Sequence, residues 1–333
     1  MLIEDPRAFT LIVPNHNGTA FLRRALDYLA AEGYRGALAV ADSSAPEAQA
    51  QVRACAGQYP GLRIDLQTYP SEIGFFDKLA ATLERLESRA VMVCANDDYV
   101  MLDALEGCVE MLEADSGLAV ARGRHMMFEM QQGAEAAAAP EWRLRSYPMR
   151  AYAEADPFER LLGCVNQYST TFNSVHRREL LLEATRATIA GSENMIFVQY
   201  LLSVLGVVQG KVACVDELFY VRQGHAKSTS AQARAADYEH WPLLITHPRF
   251  TEYYQRFRVA VASFYATRAT LPLDFETRFD EAAVGLMIRG YCGHESDNFE
   301  EVRFLERSRD RASPEYARVD ACAKFTARYP DTY

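Results

Sequence analysis

Along the first half of the chain, short apolar runs alternate with stretches in which apolar residues recur every three or four positions. Phe9-Thr-Leu-Ile-Val13 is the first run, closed by Pro14-Asn-His-Asn-Gly18. Phe21, Leu22, Ala25, Leu26 and Leu29 then follow helical spacing, with Asn17 or Thr19 placed to cap the helix. Ala37-Leu-Ala-Val-Ala41 is a second buried-type run and ends at Asp42-Ser-Ser. The pattern predicts a helix over Pro46–Ala56 and a strand over Leu62–Thr68, where Leu62, Ile64 and Leu66 alternate. Phe76, Leu79, Ala80, Leu83 and Leu86 mark the next helix. Ala90-Val-Met-Val-Cys-Ala95 is the most hydrophobic strand and stops at Asn96-Asp97-Asp98. Leu102, Leu105, Val109 and Leu112 mark a further helix, and Leu118–Ala121 opens a fifth strand.

Strands that read as continuous apolar runs, separated by amphipathic helices, imply an α/β fold with a mostly parallel sheet flanked by helices. Ligands of such sheets bind beyond the carboxyl ends of the strands. Asn15-His16-Asn17, Asp42-Ser43-Ser44 and Asn96-Asp97-Asp98 all fall on that edge. No G-x-G-x-x-G follows the first strand, and no G-x-x-x-x-G-K-[ST] occurs. That speaks against a dinucleotide dehydrogenase and a P-loop NTPase.

The second half is more mixed. Gln131–Pro140 reads as a surface excursion. Phe158, Leu161 and Leu162 predict a helix, Thr170–Val175 a strand, and Met195–Leu205 a helix. Val212–Val215 and Leu218–Val221 read as two short strands. From about Ala231 only helical spacing remains, as in Phe257, Val261, Phe264 and Tyr265. Tyr238, Trp241, Tyr253, Tyr254 and Phe257 suit core packing at this spacing.

The formal net charge of -10 makes nucleic acid a poor partner, because phosphate backbones need clustered Lys and Arg. A bound diphosphate would then need a local cation. No apolar run approaches the roughly 20 residues of a membrane span, and MLIEDPRAFT lacks a signal-peptide pattern. The expected location is cytoplasmic. The seven cysteines include no C-x-x-C pair and are expected as free thiols in the core.

Adjacent carboxylates at a strand end repel unless solvated or bridged by a cation, and hard oxygens suit Mg²⁺ or Mn²⁺. Asp97 and Asp98 are therefore metal candidates, with a solvated turn as the plain alternative. Asp42 is placed to accept from a base N–H or a ribose hydroxyl; the alternative is a turn cap aided by Ser43 and Ser44. Pro14, Asn15, His16 and Asn17 are placed to shape a base pocket, largely through backbone. Lys78 is a cationic candidate for the same ligand. Glu193, in Gly191-Ser192-Glu193-Asn194, is a candidate general base. The alternative is an ordinary helix start with Ser192 as cap. In Arg222-Gln-Gly-His225-Ala-Lys227-Ser-Thr-Ser230, His225 can ligate a metal and Arg222 or Lys227 can steady a diphosphate. A solvated loop is the alternative there.

Taken in order, these segments resemble family 2 glycosyltransferases of the GT-A fold, over about residues 8–230. Thr10-Leu-Ile-Val-Pro-Asn-His-Asn17 resembles the family's opening strand. Val40-Ala-Asp-Ser-Ser44 resembles its nucleotide-recognising acid segment, and Asn96-Asp97-Asp98 its Asp-x-Asp (DXD) metal motif. Gly191-Ser-Glu-Asn194 resembles the segment holding its base. Tyr220-Val-Arg-Gln-Gly-His225…Ser228 resembles the stretch that closes its catalytic domain. The short Asp-Ser-Ser and Asn-Asp-Asp forms resemble a bacterial subgroup acting on surface glycans. Asn96 and Asn194 stand where the family has acids, which puts ribose contact at Asn96 in doubt and leaves Glu193 as the base candidate.

The resemblance implies a metal-dependent, inverting transfer of a sugar from a nucleoside-diphosphate sugar to a hydroxyl, with a UDP-sugar expected as donor and Mn²⁺ or Mg²⁺ as cofactor. It implies residues 1–230 as the transferase domain, divided into a nucleotide-sugar half over 1–128 and an acceptor half over 141–230. Residues 231–333 form a helical region, able to hold acceptor, pair subunits or rest on a membrane. The acceptor is expected to be a glycan or a lipid-linked molecule, the latter placing the protein at the inner membrane face. Two alternatives stay open: a sugar nucleotidyltransferase, and a non-catalytic nucleotide- or glycan-binding module on a degenerate transferase fold.

Overall fold

The computed structural model describes residues 1–130, 142–147, 149–225, 241–292 and 299–332. Four parallel strands make its first half: β1 (Phe9–Asn15), β2 (Ala37–Asp42), β3 (Arg63–Thr68) and β4 (Ala90–Val93). Between them run α1 (Thr19–Ala31), α2 (Pro46–Ala56) and α3 (Phe75–Arg85). These crossovers pack on both sheet faces, which is why β1, β2 and β4 are largely apolar up to their polar tips. Leu11 and Val13 of β1 pack toward Leu22 and Leu26 of α1, while Ile12 packs toward Leu79 and Leu83 of α3.

Beyond β4 the sheet becomes mixed. The short β5 (Tyr99–Val100) leads to α4 (Leu102–Ala114) and the long β6 (Leu118–Met130), with β7 (Trp142–Tyr147) antiparallel to it. Then follow α5 (Pro157–Asn166), β8 (Val175–Arg177), α6 (Arg178–Gly191), α7 (Met195–Gln209) and β9 (Lys211–Gly224). The strand order is β3-β2-β1-β4-β8-β6-β9-β5, with β7 on the side of β6. The architecture is thus the expected α/β sheet flanked by helices, parallel through β1–β4.

Four local expectations need correction. The strand expected over Thr170–Val175 is confined to β8; Asn173 instead donates its side-chain amide to Val93 O and Tyr220 Oη, holding the preceding residues in a turn. The two short strands after α7 are one strand, β9. The polar Asp216-Glu217 step that split them is an irregularity in the β6–β9 register. Gly123 permits it, since a Cβ there would lie 2.6 Å from Glu217 O. Helix α1 is capped by neither Asn17 nor Thr19: its N-cap is Gly18. Asn17 takes a left-handed backbone (φ 52°), which Asn tolerates, and its Oδ1 accepts from Ala45 N at the start of α2. Finally, α7 is capped by Asn194, not Ser192, the Asn194 side chain accepting from Ile196 N and Phe197 N.

The described part of the helical region comprises α8 (Trp241–Thr246), α9 (Phe250–Ala266), α10 (Phe275–Cys292), α11 (Phe299–Arg309) and α12 (Pro314–Thr326). It divides between the two sheet faces. Phe257 and Val261 of α9 and Phe279 of α10 join the core of α5 and α7. Val319 and Cys322 of α12 join the core of α1 and α4. The expected excursion at Gln131–Pro140 and the boundary at 230/231 lie outside the described residues, as does Tyr238. Six cysteines among the described residues are free thiols, five of them buried. No described helix is long and apolar enough to cross a membrane.

Candidate functional site

The parallel register of β1 and β2 sets Asn15 opposite Asp42 at the strand tips. Asn15 Nδ2 donates to Asp42 Oδ1 (2.8 Å) and to Ser44 Oγ (3.2 Å). Asn96 Nδ2 in turn donates to Asn15 Oδ1 (2.8 Å), so one hydrogen-bonded chain joins the tips of β2, β1 and β4. Gly18 packs closely over it: a Cβ would sit 3.0 Å from Asn96 Nδ2 and would need that amide to move. Asp42 Oδ1 also accepts from Ser44 N and Ser44 Oγ. Among the described residues, Asp42 Oδ2 takes no hydrogen bond. The side chain is buried in a site held by neutral donors, which suits an acid kept for a ligand.

Lys78 reaches the same tips from α3, and its Nζ donates to Asn15 O (2.9 Å) and Ser43 Oγ (2.8 Å). Burial pushes its ammonium down to about 8, against the pull of Asp42. His16 Nδ1 lies 2.8 Å from Ser43 O, and Asn17 Nδ2 lies 3.2 Å from His16 Nε2. Donation from Nδ1 to the carbonyl and acceptance at Nε2 satisfies both contacts. Pro14 precedes Asn15 on β1, half-buried.

The two acids after β4 have different surroundings. Asp98 is buried, its Oδ1 accepting from Gln223 N (3.0 Å) and its Oδ2 from Tyr220 Oη (2.8 Å), with Arg222 Nε 3.6 Å away. Burial, then the neighbouring Asp97 charge, push Asp98 up to about 7; Arg222, Tyr220 and Gln223 oppose this. Asp98 therefore ties the loop after β4 to β9. Asp97 is the more open of the two, and its Oδ2 lies 2.8 Å from His225 Nε2. The His225 ring is 4% exposed and stacks on Phe21 with centroids 5.1 Å apart. Its Nδ1 makes no hydrogen bond among the described residues.

An acid and an imidazole side by side, Asp97 Oδ2 and His225 Nε2, can supply two ligands of a divalent ion that takes the rest from a diphosphate and water. Among the described residues no group of three or more His, Cys, Asp or Glu converges on a metal position. The mixed donor set suits Mn²⁺ better than Mg²⁺, which prefers oxygen alone. Lys227 and Ser228-Thr-Ser230 lie outside the described residues.

Glu193 is set apart from this cluster. Its carboxylate is 62% exposed and pairs with Arg256 Nη1 (2.6 Å) and Arg249 Nη2 (3.5 Å), both on or beside α9. Arg256 holds it below the usual carboxylate range. Among the described contacts none joins Glu193 to Asp97, Asp42 or His225.

Sequence reading passed over Arg24. This side chain on α1 is 1% exposed, donates to Asp97 O (2.7 Å) and Thr332 Oγ1 (2.8 Å), and also bonds Gln223 Oε1. The available signal was its spacing: Phe21, Arg24 and Tyr28 fall on one helical stripe, so Arg24 is a cation at a core position. Asn173, which with Tyr220 holds the loop after β4, carried no comparable signal.

No family model matches the chain, and no curated protein is similar to it in sequence. Several solved structures are similar in overall shape. TarS of S. aureus in complex with UDP-GlcNAc is 14% identical over 97% of this chain and 90% of that one, with a TM-score of 0.45. Against a longer TarS chain the match covers 95% of this chain but 54% of TarS, at 13% identity and a TM-score of 0.44. The mannosyltransferase PcManGT from Pyrobaculum calidifontis, in complex with GDP-Man and Mn²⁺, is 16% identical over 97% of this chain and 87% of that one, with a TM-score of 0.45.

Proposed function

We propose that this protein is a metal-dependent glycosyltransferase that moves a sugar from a nucleoside-diphosphate sugar to a hydroxyl acceptor. The observation that carries the reading is the hydrogen-bonded chain Asp42–Asn15–Asn96, which gathers three strand tips beside the Asp97–His225 pair. A ligand lying along that edge meets an acid for its base or ribose at one end and a cation site at the other. The order of the motifs in the sequence supports the same reading.

In this reading Asp42 Oδ2 accepts from the base or ribose, with His16, Pro14 and Asn17 lining the pocket and Lys78 and Ser43 below it. Asp97 and His225 would hold Mn²⁺, which neutralises the diphosphate as charge develops on it. Asp98 shapes the loop, and Arg222, beside it, contributes a cation toward the leaving group. The transfer is a single in-line displacement. The acceptor oxygen gives its proton to Glu193 and bonds to the anomeric carbon. The carbon–oxygen bond to the diphosphate breaks, and that electron pair leaves with the nucleoside diphosphate. One displacement inverts the anomeric configuration. A bacterial surface glycan, free or lipid-linked, is the proposed acceptor class.

The deciding experiment mixes purified protein, Mn²⁺, a panel of nucleotide sugars and glycan acceptors. Release of nucleoside diphosphate with an inverted glycosidic product supports the proposal. Release of pyrophosphate from sugar phosphate and NTP would replace it with nucleotidyl transfer. A second reading, a binding module without turnover, draws on the ion-paired state of Glu193. Tight UDP binding with no transfer to any acceptor would favour it.

A further inference from the structure

We infer that Arg24 is a positioning residue for the Asp97–His225 pair, and that Thr332 completes its seat. The inference rests on reading that pair as the cation site of the donor. Arg24 is a buried guanidinium whose hydrogen bonds go to neutral oxygens: the Asp97 carbonyl, Gln223 Oε1 and Thr332 Oγ1. A buried charge without a carboxylate partner is costly, and an apolar side chain would serve the core better. What the charge secures is geometry.

Arg24 reaches both halves of the pair. On one side it holds the backbone of Asp97 directly, at 2.7 Å. On the other its Cζ lies 5.5 Å from the Phe21 ring centroid, and Phe21 stacks on His225 at 23°. The Arg24 Cζ also lies 5.3 Å from the Tyr99 ring centroid. Arg24 is thus in cation–π contact with two rings, one of which, Phe21, stacks on His225. Gln223 locks the arrangement from β9: its N–H goes to Asp98 Oδ1, its side-chain oxygen accepts from Arg24, and its side-chain amide donates to Thr332 O (2.8 Å). A planar, forked cation suits three hydrogen bonds and two ring contacts at once, and a lysine would satisfy only part of them.

The test uses the full chain and the variants Arg24→Met, Arg24→Lys and Thr332→Val, with Asp97→Ala and His225→Gln as references. Two quantities are read: affinity for Mn²⁺ in the presence of UDP, by electron paramagnetic resonance, and the position of the His225 ring signal in the metal-free protein, by NMR with labelled histidine. Arg24→Met is expected to weaken Mn²⁺ binding by about 10- to 100-fold, the usual cost of losing a group that orients a metal ligand. It should also move the His225 signal toward its position in Asp97→Ala. Arg24→Lys and Thr332→Val should move both in the same direction by less, while UDP binding without metal stays unchanged. Folded Arg24→Met with wild-type Mn²⁺ affinity and an unmoved His225 signal would overturn the inference. If Arg24→Met does not fold, Thr332→Val decides in the same way. If the wild type takes up no Mn²⁺ with UDP, the cation reading has failed and the His225 signal alone settles the positioning role.

Discussion

His225 Nε2 and Asp97 Oδ2 stand 2.8 Å apart although 128 positions separate the two residues in sequence. The contact joins the loop after β4 to the end of β9, and in the proposed reading it is where the nucleotide-binding tips of β1 and β2 meet a cation site. Removing either side chain should therefore separate two kinds of ligand binding. Asp97→Ala and His225→Gln are expected to keep the metal-free rise in melting temperature given by UDP. They should lose the additional rise given by Mn²⁺, because a ligand that binds only the native state stabilises it by an amount that grows with the logarithm of its affinity. The expected loss of Mn²⁺–UDP affinity is at least roughly tenfold, about 1.4 kcal/mol. A variant that retains the whole Mn²⁺-dependent rise would take the pair out of the site.

The strand tips were legible because the parallel-sheet rule needs only run lengths and polar ends, and both are local. Asn15, Asp42 and Asn96 follow from that rule. The division of labour between Asp97 and Asp98 was not legible. It is decided by Tyr220 and Gln223, more than a hundred positions away, which take Asp98 inward. The same applies to the turn before β8, where the side chain of Asn173 captures backbone and hydroxyl partners from other strands and overrides local strand preference. Asn194 displaced Ser192 as the cap of α7 because both are good caps, and which one turns inward depends on how α7 packs. Arg24 was missed because a charge on an apolar stripe reads as an exposed edge unless its acceptors are known.

Lys78 supplies a pH dependence of its own. Burial holds its ammonium at about 8, against an ordinary 10.5, so it is charged below that point and neutral above it. In the fold the neutral form is favoured, so this residue's contribution to stability grows as pH rises from about 8 to 10.5. Binding of an anionic nucleotide has the opposite preference. UDP affinity is expected to be level below pH about 7.5 and to fall by up to about tenfold per unit above 8. Lys78→Gln should bind UDP more weakly at neutral pH and show no such fall. Isothermal titration between pH 7 and 9.5 checks both, and an equal decline in the variant would assign the effect elsewhere.

His176 governs stability at acid pH. It is buried on β8, its Nε2 donating to Thr171 O at 2.6 Å. Burial pushes it down to about 4 from 6.5, with Thr171 pulling upward and Arg122 adding to the fall. The unfolded chain then binds more protons between those values, so stability is full above pH 6.5 and is lost as pH falls toward 4. A fall from 6.5 to about 4 corresponds to about 3 kcal/mol attributable to this ring. Urea unfolding at pH 7 and pH 4.5 should show a steeper loss for wild type than for His176→Gln, whose amide can still donate to Thr171 without titrating. Parallel losses in the two proteins would mean that other groups carry the acid response.

Glu193 is the residue on which the catalytic proposal is most exposed. It sits one position before the cap of α7, solvated and paired with Arg256 and Arg249. If it removes the acceptor proton, Glu193→Gln should lower turnover by roughly 10²–10⁴-fold, the usual weight of a general base. Binding of UDP and Mn²⁺ should be untouched, since no described contact links Glu193 to Asp42, Asp97 or His225. Arg256→Ala supplies the independent check. The hydrogen bond from Arg256 is the main reason the Glu193 pKa is lowered, so its removal raises that pKa toward the ordinary carboxylate value. A base must be deprotonated to act, so the acid limb of the kcat profile should move to higher pH in Arg256→Ala, and that limb should be absent from the residual activity of Glu193→Gln. Turnover in Glu193→Gln equal to wild type, with an unmoved acid limb in Arg256→Ala, would show that the ion pair with α9 is structural and that the proton leaves by another group.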